Sequence, residues 1–151
     1  MVLSRLLPDV KHQYEGPIGP FYFFVFVAFV STVRSLIHIF APDGGAASIA
    51  GIDVNVQAGS DIIAIFGQWG ASQLLLALVF WIVIVRYRFL TPLMLAIIIL
   101  EELLRIGVCH MKLLAVSAAP PGVIGSHLLL PIAAAFFVWS LWKRPNGGKA
   151  A

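Results

Sequence analysis

Four apolar blocks constrain this chain most. Each runs for about 20–24 residues, enough to carry an α-helix across a bilayer core of about 30 Å. They fall at approximately 18–40, 62–85, 92–114 and 122–142. Lipid offers no water to unpaired backbone groups, so each block is read as a helix. A small β-barrel would need period-two alternation, which these blocks lack. The expected fold is all-α, an integral-membrane four-helix bundle forming one domain over residues 1–151.

Composition points the same way. The chain is 60% hydrophobic and 11% charged, with a mean hydropathy of +0.97. Soluble domains carry roughly 45–50% apolar and about 25% charged residues. The net charge of +3 is small, and the basic residues sit at block ends. That pattern argues against a nucleic-acid surface and for a membrane-orientation signal. The single cysteine, Cys109, excludes an internal disulfide. The polar opening residues (Arg5, Asp9, Lys11, Glu15) and the length of the first block do not fit a cleavable signal peptide, so that block is expected to be retained.

Lys and Arg alternate between connections. Arg5 and Lys11 precede the first block, Arg86 and Arg88 separate the second from the third, and Lys143, Arg144 and Lys149 follow the fourth. The 41–61 loop has none and carries Asp43, Asp53 and Asp61. The connection after the third block has at most Lys112. This bias predicts cytoplasmic termini (N-in, C-in), with 41–61 and 113–121 external. Trp139, Trp142, Tyr87, Phe21 and Tyr22 fit an inner aromatic belt. Ser60 or Asp61 is expected to cap the second helix, and Thr91 the third, with Pro92 in its first turn. In the external loop "PDGG" signals a turn. "IDVNV" reads as a short strand, an interfacial segment or part of a disordered linker.

The anomaly is "LEELLRIGVCH", Leu100 to His110, inside the third block. A charge at the bilayer centre costs about 2.5–3.5 kcal/mol on insertion scales, so such residues are expected to face protein and to be paired. Glu101 and Arg105 are spaced i,i+4 and can form a salt bridge on one helix face. Glu102 flanks that face. The first block carries Arg34 and His38, the second Gln68, Trp69, Ser72 and Gln73, and the fourth Ser126 and His127. Helical rise places all of these in the outer halves of their helices, whereas the inner halves are almost purely apolar.

The candidate site is therefore an outward-facing polar layer of Arg34, His38, Gln68, Gln73, Glu101, Glu102, Arg105 and His127. Arg34 pairs there with Glu101 or Glu102 across helices. Such a layer fits a pocket for a small amphiphile, a lipid or a partner subunit, with membrane lipids as surroundings. A charge cluster that merely fastens helices is the plainer reading. A membrane enzyme or redox subunit is the alternative, acting on a lipid-soluble substrate by acid–base chemistry at Glu101 or Glu102 and His38 or His127. An oligomeric transporter is a further one. A homo-oligomer or a larger membrane complex fits these readings. His38 and His127, at similar depth on different helices, are the pair to test as axial haem ligands. A hydrogen bond to glutamate or serine is their simpler role. No metal-ligand spacing, Walker motif or G-x-S-x-G is present, so no metal and no other cofactor are expected. Pro131 would free the His127 carbonyl at the polar layer. Ala64, Gly67, Gly70 and Ala71 offer a small-residue face for close helix approach.

The stretches "SLIHIFAPDGGAASIAGI", "IIAIFGQWGASQLLLAL", "RYRFLTPLMLAIIILEELLRI" and "PPGVIGSHLLLP" resemble a group of small bacterial four-span membrane proteins of unassigned activity. More loosely, the chain is similar to the DoxX-like families. The resemblance spans Ser35 to Pro131. It implies a four-helix fold in the bacterial inner membrane and, from the DoxX-like association with thiol or quinone redox complexes, a redox connection. The lone Cys109 and the lack of a C-x-x-C depart from that connection.

Overall fold

A computed structural model describes residues 13–113, 116 and 120–143. Arg5, Lys11, Arg144, Lys149 and the expected end of the third block at Leu114 lie outside the described residues. The described part is all-α, with helices α1 (Ile18–Phe40), α2 (Gly59–Arg86), α3 (Thr91–Met111) and α4 (Pro121–Ser140). Among the described residues there is no strand, so "IDVNV" is not one. Helices α1, α2 and α4 are long and apolar enough to cross a membrane. Helix α3 carries Glu101, Glu102 and Arg105 and is not among them.

Local chemistry explains the helix ends. Pro17 precedes α1 and Pro20 lies in its first turn, where a proline's missing N–H has no helical partner to lose. Helix α2 starts at Gly59, with Ala58 rather than Ser60 or Asp61 at the cap. Asp61 sits instead in the first turn, where its charge complements the helix dipole. A 3₁₀ turn, Arg88–Leu90, reverses the chain into α3. Thr91 is the first residue of α3, not its cap, and its hydroxyl donates to the Arg88 carbonyl at 2.6 Å. Pro92 occupies the first turn as expected, and α4 runs through Pro131 without a break.

Packing divides the molecule into two halves. The most extensive contacts are α1 with α2 and α3 with α4, and α1 also touches both α3 and α4. In the half away from the 41–58 loop the core is apolar, with Phe24, Phe80, Leu95 and Ile98 fully buried. Phe24 and Phe80 meet edge to face at 5.3 Å, and Phe23 stacks on Phe136 at 4.2 Å. Trp81 Nε1 donates to Thr32 Oγ1 at 3.0 Å, which satisfies a half-buried indole. Large apolar side chains cover much of the outer surface, among them Phe26, Phe29, Leu75, Val85, Leu104 and Leu128. That is far more exposed oil than a water-facing surface normally carries.

At the loop end α1 and α2 approach closely through glycine. A Cβ on Gly70 would stand 2.6 Å from the His38 Cβ and 3.1 Å from the Ser35 carbonyl. Gly67 also faces α1, but Ala64 and Ala71 are exposed, so only the glycines of the expected small-residue face serve this contact. The loop then folds as a compact cap. The Asp43 carboxylate accepts the backbone N–H groups of Gly45 (2.9 Å), Ala47 (3.1 Å) and Ser48 (2.6 Å). Gly44 and Gly45 take φ of 59° and 75°, a region that disfavours side chains. Ala46 is fully buried.

Candidate functional site

The close α1–α2 contact and the return of α3 bring charged and amide side chains from three helices together. Arg34 Nη2 donates to Gln73 Oε1 at 2.7 Å, and Gln73 Nε2 donates to Glu101 Oε1 at 2.9 Å. The same Glu101 oxygen accepts a hydrogen bond from Arg105 Nη2, one turn further along α3. An arginine can only donate and a carboxylate only accept, so the orientation of the Gln73 amide is set by its two neighbours. The chain of contacts reads Arg34–Gln73–Glu101–Arg105 across α1, α2 and α3.

The two arginines are held differently. Arg105 engages both carboxylates, with Glu102 Oε2 at 3.5 Å from its Nε in addition to Glu101. Arg34 has the neutral Gln73 amide as its hydrogen-bond partner, and its nearest carboxylate oxygen, Glu101 Oε1, is 4.0 Å away. The Nε atoms of both arginines, and Glu102 Oε2, are buried without a hydrogen-bond partner. Exposure follows the same gradient. The Arg34 side chain is 30% exposed and that of Arg105 15%, while that of Glu102 is 4%. Glu101, at 25%, is more exposed than Arg105, so Arg34 and Glu101 form the rim and Glu102 the floor.

Trp69 ties the rim together. The Arg34 and Arg105 guanidinium carbons lie 5.8 and 5.5 Å from its ring centre, within reach of a cation–π attraction. His38 packs on the same indole at 4.7 Å and against Phe66 at 5.7 Å. The His38 Nδ1 lies 2.7 Å from the Gly44 carbonyl oxygen. A carbonyl only accepts, so Nδ1 carries the proton and donates. His38 thus pins the 41–58 loop onto the aromatic cluster beside the arginines.

Of the eight expected site residues, Arg34, Gln73, Glu101, Glu102 and Arg105 come together, and His38 adjoins them through Trp69. Gln68 and His127 do not join. Gln68 is exposed, and Ser72 back-bonds to its carbonyl at 3.1 Å. His127 is exposed and donates from Nδ1 to the Val123 carbonyl of its own helix at 2.8 Å. Both sit on helix faces turned away from the network, which their depth along the helices alone did not reveal. His38 and His127 accordingly occupy separate surroundings. No group of three His, Cys, Asp or Glu side chains suited to a metal ion occurs among the described residues.

Below the rim a crevice between Ser31, Arg34, Gln73, Leu76, Phe80 and Glu101 encloses no space for a water molecule. The polar layer thus has a closed floor and an exposed edge, not a deep cavity. Sequence reasoning missed Trp69 as the shared platform and Asp43 as the organiser of the cap. The signals were present as an indole beside Gln68 and an aspartate opening a "PDGG" turn.

No protein-family model matches this chain, and neither a curated protein nor a solved structure matches it.

Proposed function

We propose that the chain is a small multi-pass protein of the bacterial inner membrane with four spans and both termini cytoplasmic. In this reading the rim formed by Arg34, Trp69 and Glu101 binds an amphiphile at the outer half of the membrane. The observation that carries it is the charged network shared by three helices, buried at its floor and open at its rim. A polar network costs free energy in lipid unless its groups are satisfied, and here Arg34 Nε, Arg105 Nε and Glu102 Oε2 all lack a hydrogen-bond partner. The Lys/Arg bias of the connections supports the orientation.

The test is native mass spectrometry of protein released from nanodiscs made with bacterial lipid extract. The parent is expected to retain an amphiphile that the Glu101→Gln/Arg105→Gln double variant loses. That variant removes one charge of each sign, so net charge is unchanged, but it leaves the buried Glu102 without its Arg105 partner, a cost that is read separately as a lower melting temperature. Identical lipid complements on both proteins would contradict binding at this site. A second reading, in which the network only fastens α1, α2 and α3, draws on the closed crevice. It predicts a lower melting temperature for the double variant with an unchanged lipid complement.

A further inference from the structure

We infer that the head group bound at this rim is an oxyanion, phosphate or carboxylate, carried on an amphiphile and contacted by Arg34; this rests on the amphiphile-binding reading above. The two arginines are unequally paired with carboxylates. Arg105 is shared by two carboxylates and has no charge to spare. Arg34 faces an uncharged amide and stands 4.0 Å from the nearest carboxylate oxygen, and its Nε, like that of Arg105, has no hydrogen-bond partner. It is also the more exposed of the two. Glu102 lies deepest, and Arg34, at 30%, is the most exposed charge of the network, ahead of Glu101 at 25%, so an incoming group meets its guanidinium at the rim. A guanidinium presents a planar fork of N–H donors that matches an oxyanion better than a neutral oxygen.

The surroundings supply the place for an apolar body. Val30 and Ile37, at i−4 and i+3 from Arg34, share its helix face and are exposed, as is Val33 beside it. Trp69, 39% exposed, offers an indole edge next to the guanidinium. The crevice behind Arg34 admits no water-sized group, so a ligand's polar end stops at the rim and its chain lies along α1. A free anion would instead have to pass the external loop, where Asp43, Asp53 and Asp61 stand without any Lys or Arg. Lateral entry from the outer leaflet avoids that barrier.

The experiment compares lipids retained after transfer from nanodiscs of equimolar phosphatidylglycerol and phosphatidylcholine. The parent is expected to retain the anionic lipid about tenfold over the zwitterionic one. That ratio should fall to near one in Arg34→Gln and to an intermediate value in Arg34→Lys, which keeps the charge but not the fork. Should Arg34→Gln fail to fold, a salt titration of the parent decides: the preference must shrink from low to high salt. Retention of both lipids equally by the parent, or an unchanged preference in a folded Arg34→Gln, overturns the inference while leaving amphiphile binding intact. Retention of neither lipid overturns both. A third arm adds inorganic phosphate. Competition by phosphate at millimolar levels would identify a free anion as the ligand and overturn the lipid assignment.

Discussion

Glu101 and Gln73 show what one residue does in this fold. Glu101 Oε1 is the meeting point of Arg105 and Gln73, and Gln73 relays it to Arg34. Gln73→Leu keeps much of the volume but leaves Arg34 Nη2 and Glu101 short of a partner at a largely buried position. The expected cost is about 1–3 kcal/mol, read as a lower melting midpoint in detergent or nanodiscs. Gln68→Leu, five residues away and exposed, should change stability by less than about 0.5 kcal/mol. Equal effects of the two substitutions would mean that the network does not form as described. The Glu101–Arg105 pair was legible because both groups lie on one helix, where spacing alone sets the face. Gln73 was not separable from Gln68, and His127 was placed at the site, because the rotation of each helix against its neighbours is a tertiary property. Trp69 escaped for the same reason: its role depends on what α1 and α3 bring to its ring.

At the scale of elements, the helices were readable to within a few residues because long apolar blocks leave little choice. Their ends were less so. Neither Ser60 nor Asp61 caps α2, and Thr91 begins α3 instead of preceding it. The 41–58 loop was the least legible element. Its "PDGG" marked a turn, but the organising force is the Asp43 carboxylate collecting three backbone N–H groups, which no periodicity reports. Hydrogen bonds from the Ser48 and Gly45 backbones hold the Asp43 carboxyl down to about 2, from an ordinary 3.8. A carboxylate held low when folded stabilises the cap fully above its unfolded value and loses that contribution as pH falls through the folded one. The cap should therefore stay ordered above about pH 4 and loosen as pH drops toward 2. Side-chain carboxyl NMR of Asp43 should titrate with a midpoint near that lower value. Asp43→Asn should remove this pH dependence from the amide protection of Ala47 and Ser48. A midpoint at the ordinary value would show that the carboxylate does not organise the loop.

At the scale of the whole molecule, the account depends on α3. Three helices have the length and apolarity to cross a membrane. The third in chain order crosses only if the charges it carries are neutralised within the protein. Arg105 engages both Glu101 and Glu102, Gln73 bonds to Glu101, and Arg34 stands nearby from α1, which is the arrangement such a crossing requires. If α3 crosses, the 41–58 loop and the end of α3 share one side of the membrane, which the proposed orientation makes the external one, and the site lies within the half of the membrane nearer that side. Labelling of single cysteines in intact cells with a membrane-impermeant thiol reagent, in a Cys109→Ser background, tests this directly. Cysteines at Ser48 and Leu113 should both react before permeabilisation, and cysteines at Gln13 and Lys143 only after it. Reaction of Ser48→Cys and Leu113→Cys from opposite sides would show that α3 does not span, and would contradict the account.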